Sequence, residues 1–270
     1  MPELVEECAK HIATQLWSFS TVLLKILVDK NGNPKSQQIG SGTYVTLGQI
    51  HGILTASHCT DELKGDYRLG LIAGPEGVEH NLFIERNTIE IINISSRVTD
   101  EYGPDLAFII LTDSDKIGTI KASKSFYNLL RVRDRMLNNP PSNRDSIWYL
   151  CGIPHERMKN GASEVGFDNL LEFEVFCGSA GVNRQYEKDG YDYYEIDIDA
   201  NCNVPLHFGG MSGGALWQVP IAPSKTGSFT AIDHFLSGVI FYQGVSENGK
   251  RFLRCHGRHS IYKHVIEKLR

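Results

Sequence analysis

Short apolar runs alternate with polar turns along most of the chain, a pattern typical of antiparallel β-structure. The turn from Lys30 to Pro34 contains Asn-Gly, a strong hairpin signal. In the first half, strands are predicted at 21–28, 37–47, 52–57, 67–73, 82–85, 88–94 and 106–111. In the second half, they are predicted at 146–152, 169–177, 191–197, 215–218, 236–241 and 251–256. Short strands with polar turns predict small antiparallel barrels.

Helical spacing of apolar residues marks both ends of the chain. Between Leu4 and Leu16 such residues recur at close to helical intervals, and glutamates lie early, where the helix dipole favours negative charge. We expect an amphipathic helix packed on the outside of the first barrel, with a partner-binding helix as the alternative. The same spacing predicts a closing helix from Ser260 to Leu269.

These elements divide the chain into five parts and give an all-β fold class. A polar stretch with a predicted helix at 125–136 separates the two groups of strands, and we interpret it as a linker. The parts are an N-terminal helix at 1–16, a first barrel at 17–112, the linker at 113–145, a second barrel at 146–257 and a C-terminal helix at 258–270.

One stretch, Phe208-Gly-Gly-Met-Ser-Gly-Gly-Ala-Leu-Trp217, places a lone serine, Ser212, among four glycines. Glycine reaches backbone conformations that a Cβ forbids and lets another molecule approach the main chain. A reactive serine needs a hydroxyl clear of the fold and N–H groups that converge where charge develops on an attacked carbonyl. Taken alone, the stretch fits a tight glycine turn between strands equally well.

Two further motifs favour the reactive serine. His58 lies in the segment Thr55-Ala-Ser-His-Cys59, and Asp105 begins the apolar run Asp105-Leu-Ala107. The order His, Asp, Ser along the chain is the order of the chymotrypsin arrangement.

With Gly210-Met-Ser-Gly-Gly214, these motifs make the chain resemble the trypsin-like serine peptidases, most of all the bacterial trypsin-like peptidase type. Supporting matches are Gly40-Ser-Gly-Thr-Tyr-Val45 and Cys151-Gly-Ile-Pro154. The resemblance implies two antiparallel six-stranded chymotrypsin-like β-barrels and a hydrolase that cleaves peptide bonds.

The resemblance also implies roles for individual residues. Ser212 is the expected nucleophile, His58 the general base, and Asp105 the group that orients the imidazole and stabilises its cation. The backbone N–H groups of Gly210 and Ser212 are the expected oxyanion hole. The substrate is a protein or peptide, which forms an acyl-enzyme that water then releases.

Two positions depart from the pattern of the secreted family members. Met211 stands where they carry an aspartate that pairs with a new N-terminal amine after zymogen cleavage, so that activation route is closed. Either the oxyanion loop is built from the start or another group orders it. Phe241 stands where they carry a serine that helps to hold the aspartate, so Asp105 needs another donor.

The substrate-binding residues are predicted from the same resemblance. Leu206 occupies the position that sets the base of the specificity pocket, where an aspartate would select Lys or Arg. His207 beside it could contact an acidic or polar side chain, or be structural. Phe241, Tyr242 and Gln243 match the strand that pairs with the substrate backbone.

Composition narrows the partners. The 270 residues are 41% hydrophobic and 22% charged, with a net charge of −5 and a pI near 6.1. No basic excess indicates a nucleic acid or an anionic membrane as partner. The N-terminus has acids where a secretory signal needs bases, and no stretch approaches the roughly 18 apolar residues of a membrane span. We therefore expect a cytoplasmic protein.

The six cysteines are expected to be reduced, because a chain of this size does not need disulfide staples. In secreted relatives the cysteine after the catalytic histidine pairs with one shortly upstream, but the matching stretch from Ile39 to Val45 has none. Cys59 is therefore predicted to be a small buried thiol. Cys255, His256 and His259 have poor spacing for zinc and lack a fourth ligand, so no metal or cofactor is predicted.

Two alternatives stay open. Gly-Met-Ser-Gly-Gly also fits the nucleophile elbow of α/β-hydrolases, which would need Asp233 with His256 or His259 as partners. That fold requires alternating helices and strands, which this chain lacks. The second alternative is a trypsin-like module that binds peptides without cutting them, or stays dormant until a regulatory protein binds. Family members of this type are often regulated proteases, including effectors of defence systems.

Overall fold

The computed structural model describes residues 2–28, 34–65, 67–73, 80–95, 103–160, 171–173, 175–198, 205, 207–223, 229–246 and 249–270. Within them the chain forms two large antiparallel sheets and few helices. This mostly β architecture agrees with the predicted all-β class and is consistent with a chymotrypsin-like fold.

The first sheet has the order β5-β4-β1-β2-β3-β7-β6, and the two-residue strand β8 pairs parallel with β2. A three-residue 3-10 turn, Arg86–Thr88, joins β5 at one end of this order to β6 at the other. Its strands are β1 (Ser20–Val28), β2 (Pro34–Leu47), β3 (Ile50–Thr55), β4 (Arg68–Ala73), β5 (His80–Glu85), β6 (Ile89–Ser95), β7 (Leu106–Leu111) and β8 (Tyr127–Asn128).

The second sheet has the order β15-β14-β16-β17-β13-β12-β9, and β9 also pairs with β14. Its strands are β9 (Ser146–Gly152), β12 (Phe176–Lys188), β13 (Tyr191–Asp197), β14 (Ala215–Pro223), β15 (Phe229–Ala231), β16 (Phe235–Val245) and β17 (Arg251–His256). A separate pair is formed by β10 (Met158–Asn160) and β11 (Leu171–Phe173).

Both sheets hold more strands than the six expected in each, with eight in the first and seven in the second within the described residues. The additional pieces are short. Strand β8 has two residues and β15 has three, whereas the separate strands predicted at 82–85 and 88–94 correspond to β5 and β6.

Most helices lie at the ends of the chain or in the connection between the sheets, and a short one follows β3. They are α1 (Pro2–Trp17), α2 (Ser57–Asp61), α3 (Ser114–Lys121), α4 (Leu129–Asn138) and a π-helical segment (Ser260–Val265) that continues as α5 (Ile266–Leu269). In the described part of the chain, none of them is both long enough and apolar enough to cross a bilayer.

The connection between the sheets differs from its prediction. One helix was expected at 125–136, but α4 begins only at Leu129, because the Asn128 side chain caps it by accepting from the Arg131 N–H. Helix α3 was not predicted, since its sequence is mostly polar. The Asp113 carboxylate caps α3 by accepting two backbone N–H groups.

Helix α1 packs against the second sheet, whereas the sequence analysis placed it on the first barrel. It contacts β12 and β15, and Ile12 and Leu16 share a buried cluster with Val219 and Phe235. The ammonium of Lys124 lies 3.1 Å from the centre of the Trp17 ring, which ties the connection to the end of the helix. Amphipathic spacing predicts an apolar face but does not say which sheet covers it.

Strand β12 is longer than predicted. The prediction ended at Cys177, whereas the strand continues to Lys188 and pairs with β13 and β9. Most side chains in its second half are half-buried or exposed, and many are polar. A hydrophobic pattern therefore does not predict this half of the strand. In β13, expected to be half-exposed, three successive residues from Asp192 to Tyr194 are buried.

A common core joins the two sheets. One buried cluster combines Leu54 and Phe108 of the first sheet with Tyr149, Trp217 and Val239 of the second. Side chains from both sheets therefore leave water together, and this burial holds the sheets in a fixed relation.

A buried carboxylate in β13 fastens the C-terminal helix. Asp192 is 2% exposed and accepts hydrogen bonds from the backbone N–H groups of His259 and Ser260 and from the Ser260 hydroxyl. Because the first N–H groups of a helix have no partner within it, this carboxylate satisfies donors that would otherwise be unpaired.

Replacing Asp192 with alanine is expected to lower the free energy of unfolding by about 2 kcal/mol, since buried helix N–H groups lose their acceptor. Urea unfolding followed by circular dichroism measures the change. Asp134→Ala is the control, because its carboxylate is 89% exposed and its ion pair with Arg133 is expected to contribute little. Equal stability of the Asp192→Ala variant and the wild type would contradict this role.

Candidate active site

His58 lies in the short helix α2, directly after strand β3, and not at the end of a strand as predicted. Strand β3 pairs antiparallel with β7, and Thr55 at the end of one strand lies opposite Ala107 near the start of the other. Antiparallel pairing thus brings the residues after β3 next to those before β7, and it places His58 beside Asp105.

The two side chains form a close pair. His58 Nδ1 lies 2.6 Å from Asp105 Oδ2, and the His58 backbone N–H donates to Oδ1 over 2.9 Å. The carboxyl of Asp105 is buried, whereas the imidazole keeps a quarter of its surface exposed. The ring is therefore oriented by a carboxylate on one side and open on the other.

This contact changes the pKa of both groups. Burial of the ring lowers the pKa of His58, but the hydrogen bond to Asp105 and the neighbouring Cys59 outweigh it and raise the pKa well above 6.5. Burial raises the pKa of Asp105, but its bonds to His58 prevail and lower the pKa below 3.8. The charged pair is the favoured form at neutral pH.

A second histidine holds Asp105 from behind. The Asp105 backbone N–H donates to His256 Nε2 over 2.9 Å, and the His256 ring is fully buried against Phe241, with ring centres 4.6 Å apart. Burial lowers the pKa of His256 to about 4, so the ring is neutral and its Nε2 can accept. Phe241 offers no hydroxyl to the aspartate. His256 of the same sheet accepts the backbone N–H but does not donate to the carboxylate, and among the described residues the expected further donor is not found.

The serine loop has the backbone that its glycines allow. Gly210 and Gly213 have φ of +87° and +86°, which side chains other than glycine rarely adopt. A Cβ on Gly213 would also collide with the Thr55 hydroxyl and the Ser41 carbonyl. The glycines flanking Ser212 are therefore required by close approach to the first sheet as well as by the turn.

Ser212 contacts Cys59, the residue directly after His58. Its carbonyl accepts the Ser41 N–H over 2.7 Å and lies 3.5 Å from the thiol of Cys59, the residue after His58. Among the hydrogen bonds of the described residues, none joins the Ser212 hydroxyl to the imidazole. In enzymes without bound substrate, such a bond is often long and tightens only with substrate present.

Two backbone N–H groups of the loop have no acceptor among the described residues. The Gly209 carbonyl accepts the His155 N–H over 2.7 Å, and in a trans peptide the N–H of Gly210 then points the opposite way. Within the described part of the chain, the N–H groups of Gly210 and Ser212 donate to no acceptor, and both residues are half-buried. They are available to an incoming anionic oxygen.

Side chains of strand β2 hold this loop in place. The Ser41 hydroxyl donates to the Gly210 carbonyl over 2.7 Å and accepts the Ile153 N–H over 2.9 Å. The Gln38 amide donates to the Ile153 and Gly210 carbonyls over 2.6 and 3.3 Å. These two polar residues and the segment after β9 form a bracket around the carbonyl before Met211.

Met211 anchors the loop by burial. It is fully buried, shares a cluster with Phe208 and Leu216, and lies so close to Gly152 that a Cβ there would meet its methyl at 3.0 Å. The loop is ordered without an aspartate at this position. The buried Met211 side chain and the hydrogen bonds from Ser41 and Gln38 hold it in place.

The predicted substrate-binding residues are placed unevenly. Leu206 lies outside the described residues. His207 is exposed, and its backbone N–H donates to the Glu156 carboxylate. Tyr242 is half-buried, with the Arg254 guanidinium 5.2 Å from its ring centre. The side-chain oxygen of Gln243 accepts the Phe208 N–H over 3.2 Å and so connects β16 to the serine loop.

A cavity of about 360 Å³ opens beside the imidazole. Its lining combines polar and acidic side chains from β2 and α2 with the exposed edge of the ring, namely Gln37, Gln38, Ile39, His58, Asp61 and Glu62. The open side of His58 therefore faces a space large enough for part of a peptide.

The remaining cysteines and histidines singled out in the sequence do not form a common site among the described residues. Cys59 is a fully buried free thiol, as predicted. Cys255 and His256 are neighbours in a strand and point to opposite faces, and the ring of His259 lies 3.4 Å from Glu187. Within the described residues, no group of three or more metal-binding side chains occurs.

Three contributors were missed by the sequence analysis. His256 was considered only as a zinc ligand or an esterase residue, and Ser41 and Gln38 were treated as ordinary strand residues. Ser41 lies in a stretch that already resembles the family, which is the one available signal. Nothing in a linear pattern indicates that His256 accepts from an N–H about 150 positions earlier.

Comparisons with known proteins give weak similarities. No protein-family model matches the chain, and no curated protein matches it. Several solved structures align with it over most of its length, three of which follow. A chain from a study of the disordered Sesbania mosaic virus VPg protein has 18% identity, a TM-score of 0.40, and coverage of 93% of this chain and 97% of that one.

The tobacco vein mottling virus protease has 11% identity and a TM-score of 0.40, with coverage of 87% of this chain and 76% of that one. The HtrA-type protease AlgW, solved with a decapeptide, has 13% identity and a TM-score of 0.45, with coverage of 97% and 67%. At this distance the similarities transfer no residue roles, so function is inferred below from the chain's own residues.

Replacing Asp105 with asparagine is expected to lower the pKa of the His58 ring, because the bond that raises it is lost. Ring resonances followed by NMR between pH 4 and 10 measure this change. His51 is the internal control. Burial lowers the pKa of its ring, Asp105 does not contribute, and its titration should stay unchanged.

The raised pKa of His58 also makes the free energy of unfolding depend on pH. A raised folded-state pKa of His58 contributes stability below the ordinary histidine value of 6.5, and this is lost as the pH rises through the folded-state pKa. The advantage of the wild type over Asp105→Asn in unfolding free energy should therefore be larger at pH 6 than at alkaline pH. An advantage that grows with pH would contradict the ion pair.

Proposed function

We propose that the chain is a serine endopeptidase in which Ser212 attacks the peptide bond. The observation that carries the proposal is the 2.6 Å contact between His58 and Asp105, with the imidazole lining a cavity together with Gln38, which also holds the serine loop. A histidine fixed by a buried carboxylate and open on its other side is the arrangement that a general base needs.

The reaction follows from these positions. His58 takes the proton of the Ser212 hydroxyl during attack, and Asp105 stabilises the resulting imidazolium. The cation then returns the proton to the leaving amine. A serine ester remains, and water activated by the same imidazole releases the second product. Because the neutral ring is the base and the pKa of His58 is raised, the rate is expected to increase with pH above 6.5.

The oxyanion hole is assigned to the N–H groups of Gly210 and Ser212. Support comes from the free N–H groups of this loop and from its attachment to Ser41, Gln38 and buried Met211. A loop already held in position needs no new ion pair to form the hole, so we propose that cleavage of the chain is not required for activity.

We further propose that the two sheets are the two barrels of the fold and that the substrate binds in extended form beside β16. The return of β9 to β14 and the turn Arg86–Thr88 between β5 and β6 support closure of each sheet. Strand β16 ends near the serine loop through Gln243, and an extended peptide can pair with such a strand through main-chain hydrogen bonds.

A fluorophosphonate probe tests the nucleophile. We expect labelling of the wild type and none of Ser212→Ala, because the probe bonds covalently to an activated serine hydroxyl. His58→Ala should slow labelling by about 10²–10⁴, the usual contribution of a general base. Labelling is measured by intact mass. Ser18→Ala, which alters a half-buried serine directly after α1, should label like the wild type.

Other outcomes separate the alternatives. Absence of labelling between pH 6 and 10 would contradict the peptidase and favour a binding module, or a site that stays dormant until a partner binds. Rapid labelling of His58→Ala would favour the nucleophile elbow. The mostly antiparallel sheets are evidence against an α/β-hydrolase, because the nucleophile elbow belongs to a mostly parallel sheet.

Removing the Ser41 hydroxyl tests the preformed loop. Ser41→Ala is expected to slow labelling about tenfold, because one lost hydrogen bond of about 1.4 kcal/mol loosens the Gly210 carbonyl. Stopped labelling reactions give the rate. Thr43→Val is the matched control, since the Thr43 hydroxyl is buried in the same strand without a partner in the described structure. An unchanged rate in Ser41→Ala would contradict the bracket.

A further inference from the structure

Two cysteines of the second sheet lie directly opposite each other on neighbouring strands. Cys151 belongs to β9 and Cys177 to β12, and the antiparallel register pairs one with the other. Their sulfur atoms are 2.7 Å apart, although the residues are 26 positions apart in the chain. Both are free thiols in the structure.

The geometry suits a covalent bond. Opposite residues in an antiparallel pair have Cβ atoms about 4.5–5.5 Å apart, close to the roughly 3.5–4.5 Å of a disulfide. The two sulfurs need to approach by only about 0.6 Å to reach the bond length near 2.05 Å. Among the cysteines whose side chains the structure describes, Cys59 and Cys255 are buried without a cysteine opposite them.

Only one of the two thiols is accessible to solvent. Cys177 is half-buried, whereas Cys151 is completely buried. Burial and the neighbouring Cys177 raise the pKa of the Cys151 thiol, so it is a poor first nucleophile. An oxidant therefore meets Cys177 first, and Cys151 is positioned to resolve the product.

We propose that Cys151 and Cys177 are a redox site that forms a reversible disulfide by exchange with a low-molecular-weight disulfide such as oxidised glutathione. The Cys177 thiolate attacks the glutathione disulfide, forms a mixed disulfide and releases one glutathione. The Cys151 sulfur, after losing its proton, attacks Cys177 and releases the second glutathione. Two protein thiols are oxidised to one disulfide, and one glutathione disulfide is reduced to two thiols.

The position of the bond gives it a consequence for the second sheet. Cys151 also pairs with Ala215 of β14, and the next residue, Gly152, packs against Met211 of the serine loop. Oxidation would join β12 covalently to the strand that supports this loop. The redox site does not depend on the catalytic role of Ser212, so either inference can fail alone.

The experiment uses the full chain purified in reductant, then exchanged into oxidised glutathione. Intact mass should fall by two hydrogen atoms, and a thiol assay under denaturing conditions should count four of the six thiols. Peptide mapping should place the bond between Cys151 and Cys177, and dithiothreitol should reverse it. The melting temperature should be about 5 °C higher in the oxidised form, as expected for a disulfide that closes a loop of this size.

Single variants separate the proposal from general oxidation. Cys177→Ser should lose both the internal bond and the shift in melting temperature, while Cys59→Ser should keep both. A stable glutathione adduct on wild-type Cys177, or a bond between other cysteines, would overturn the proposal. So would six free thiols after prolonged exposure to oxidised glutathione, or an oxidised form that melts no higher than the reduced one.

Discussion

The site depends on a buried carboxylate that both sheets share. Removing an ionised carboxylate from water is costly unless it is paired and hydrogen-bonded. Asp105 meets this condition through two donors of His58, while its own backbone N–H is taken by His256 from the second sheet. The residue that orients the imidazole is therefore also attached to the second sheet, through its backbone N–H.

The two positions that depart from the trypsin-like pattern, Phe241 and Met211, are both buried in the structure. The Phe241 ring packs on His256, which is held neutral by burial and accepts the Asp105 backbone N–H. Met211 is buried in a cluster of the second sheet. In both places packing of an apolar side chain is combined with a hydrogen bond between the sheets, from the Asp105 N–H to His256 and from the Ser41 hydroxyl to the Gly210 carbonyl.

The hydrophobic pattern was sufficient for most strands, because their side chains are sorted by burial. Strands β13 and β17 have the predicted bounds. The hydrophobic pattern was insufficient where buried and exposed side chains do not differ in polarity. Examples are the polar half of β12 and helix α3, whose start is fixed by the Asp113 cap. The sequence motifs were sufficient to select His58 and Asp105, which the structure places in contact. The supports, above all His256, depend on contacts between distant segments, which a linear pattern does not contain.

The supports are reciprocal, and this limits how the site can form. Ser41 and Gln38 of the first sheet hold the loop that carries Ser212, and His256 of the second sheet holds the start of β7 that carries Asp105. Each sheet thus holds a segment of the other, the one with Asp105 or the one with Ser212. An isolated half would leave the Gly210 carbonyl and the Asp105 N–H without their partners, so the site and the interface between the sheets form together. A change that weakens the shared core around Trp217 should therefore affect the imidazole and the serine loop at once, even though Trp217 belongs to neither.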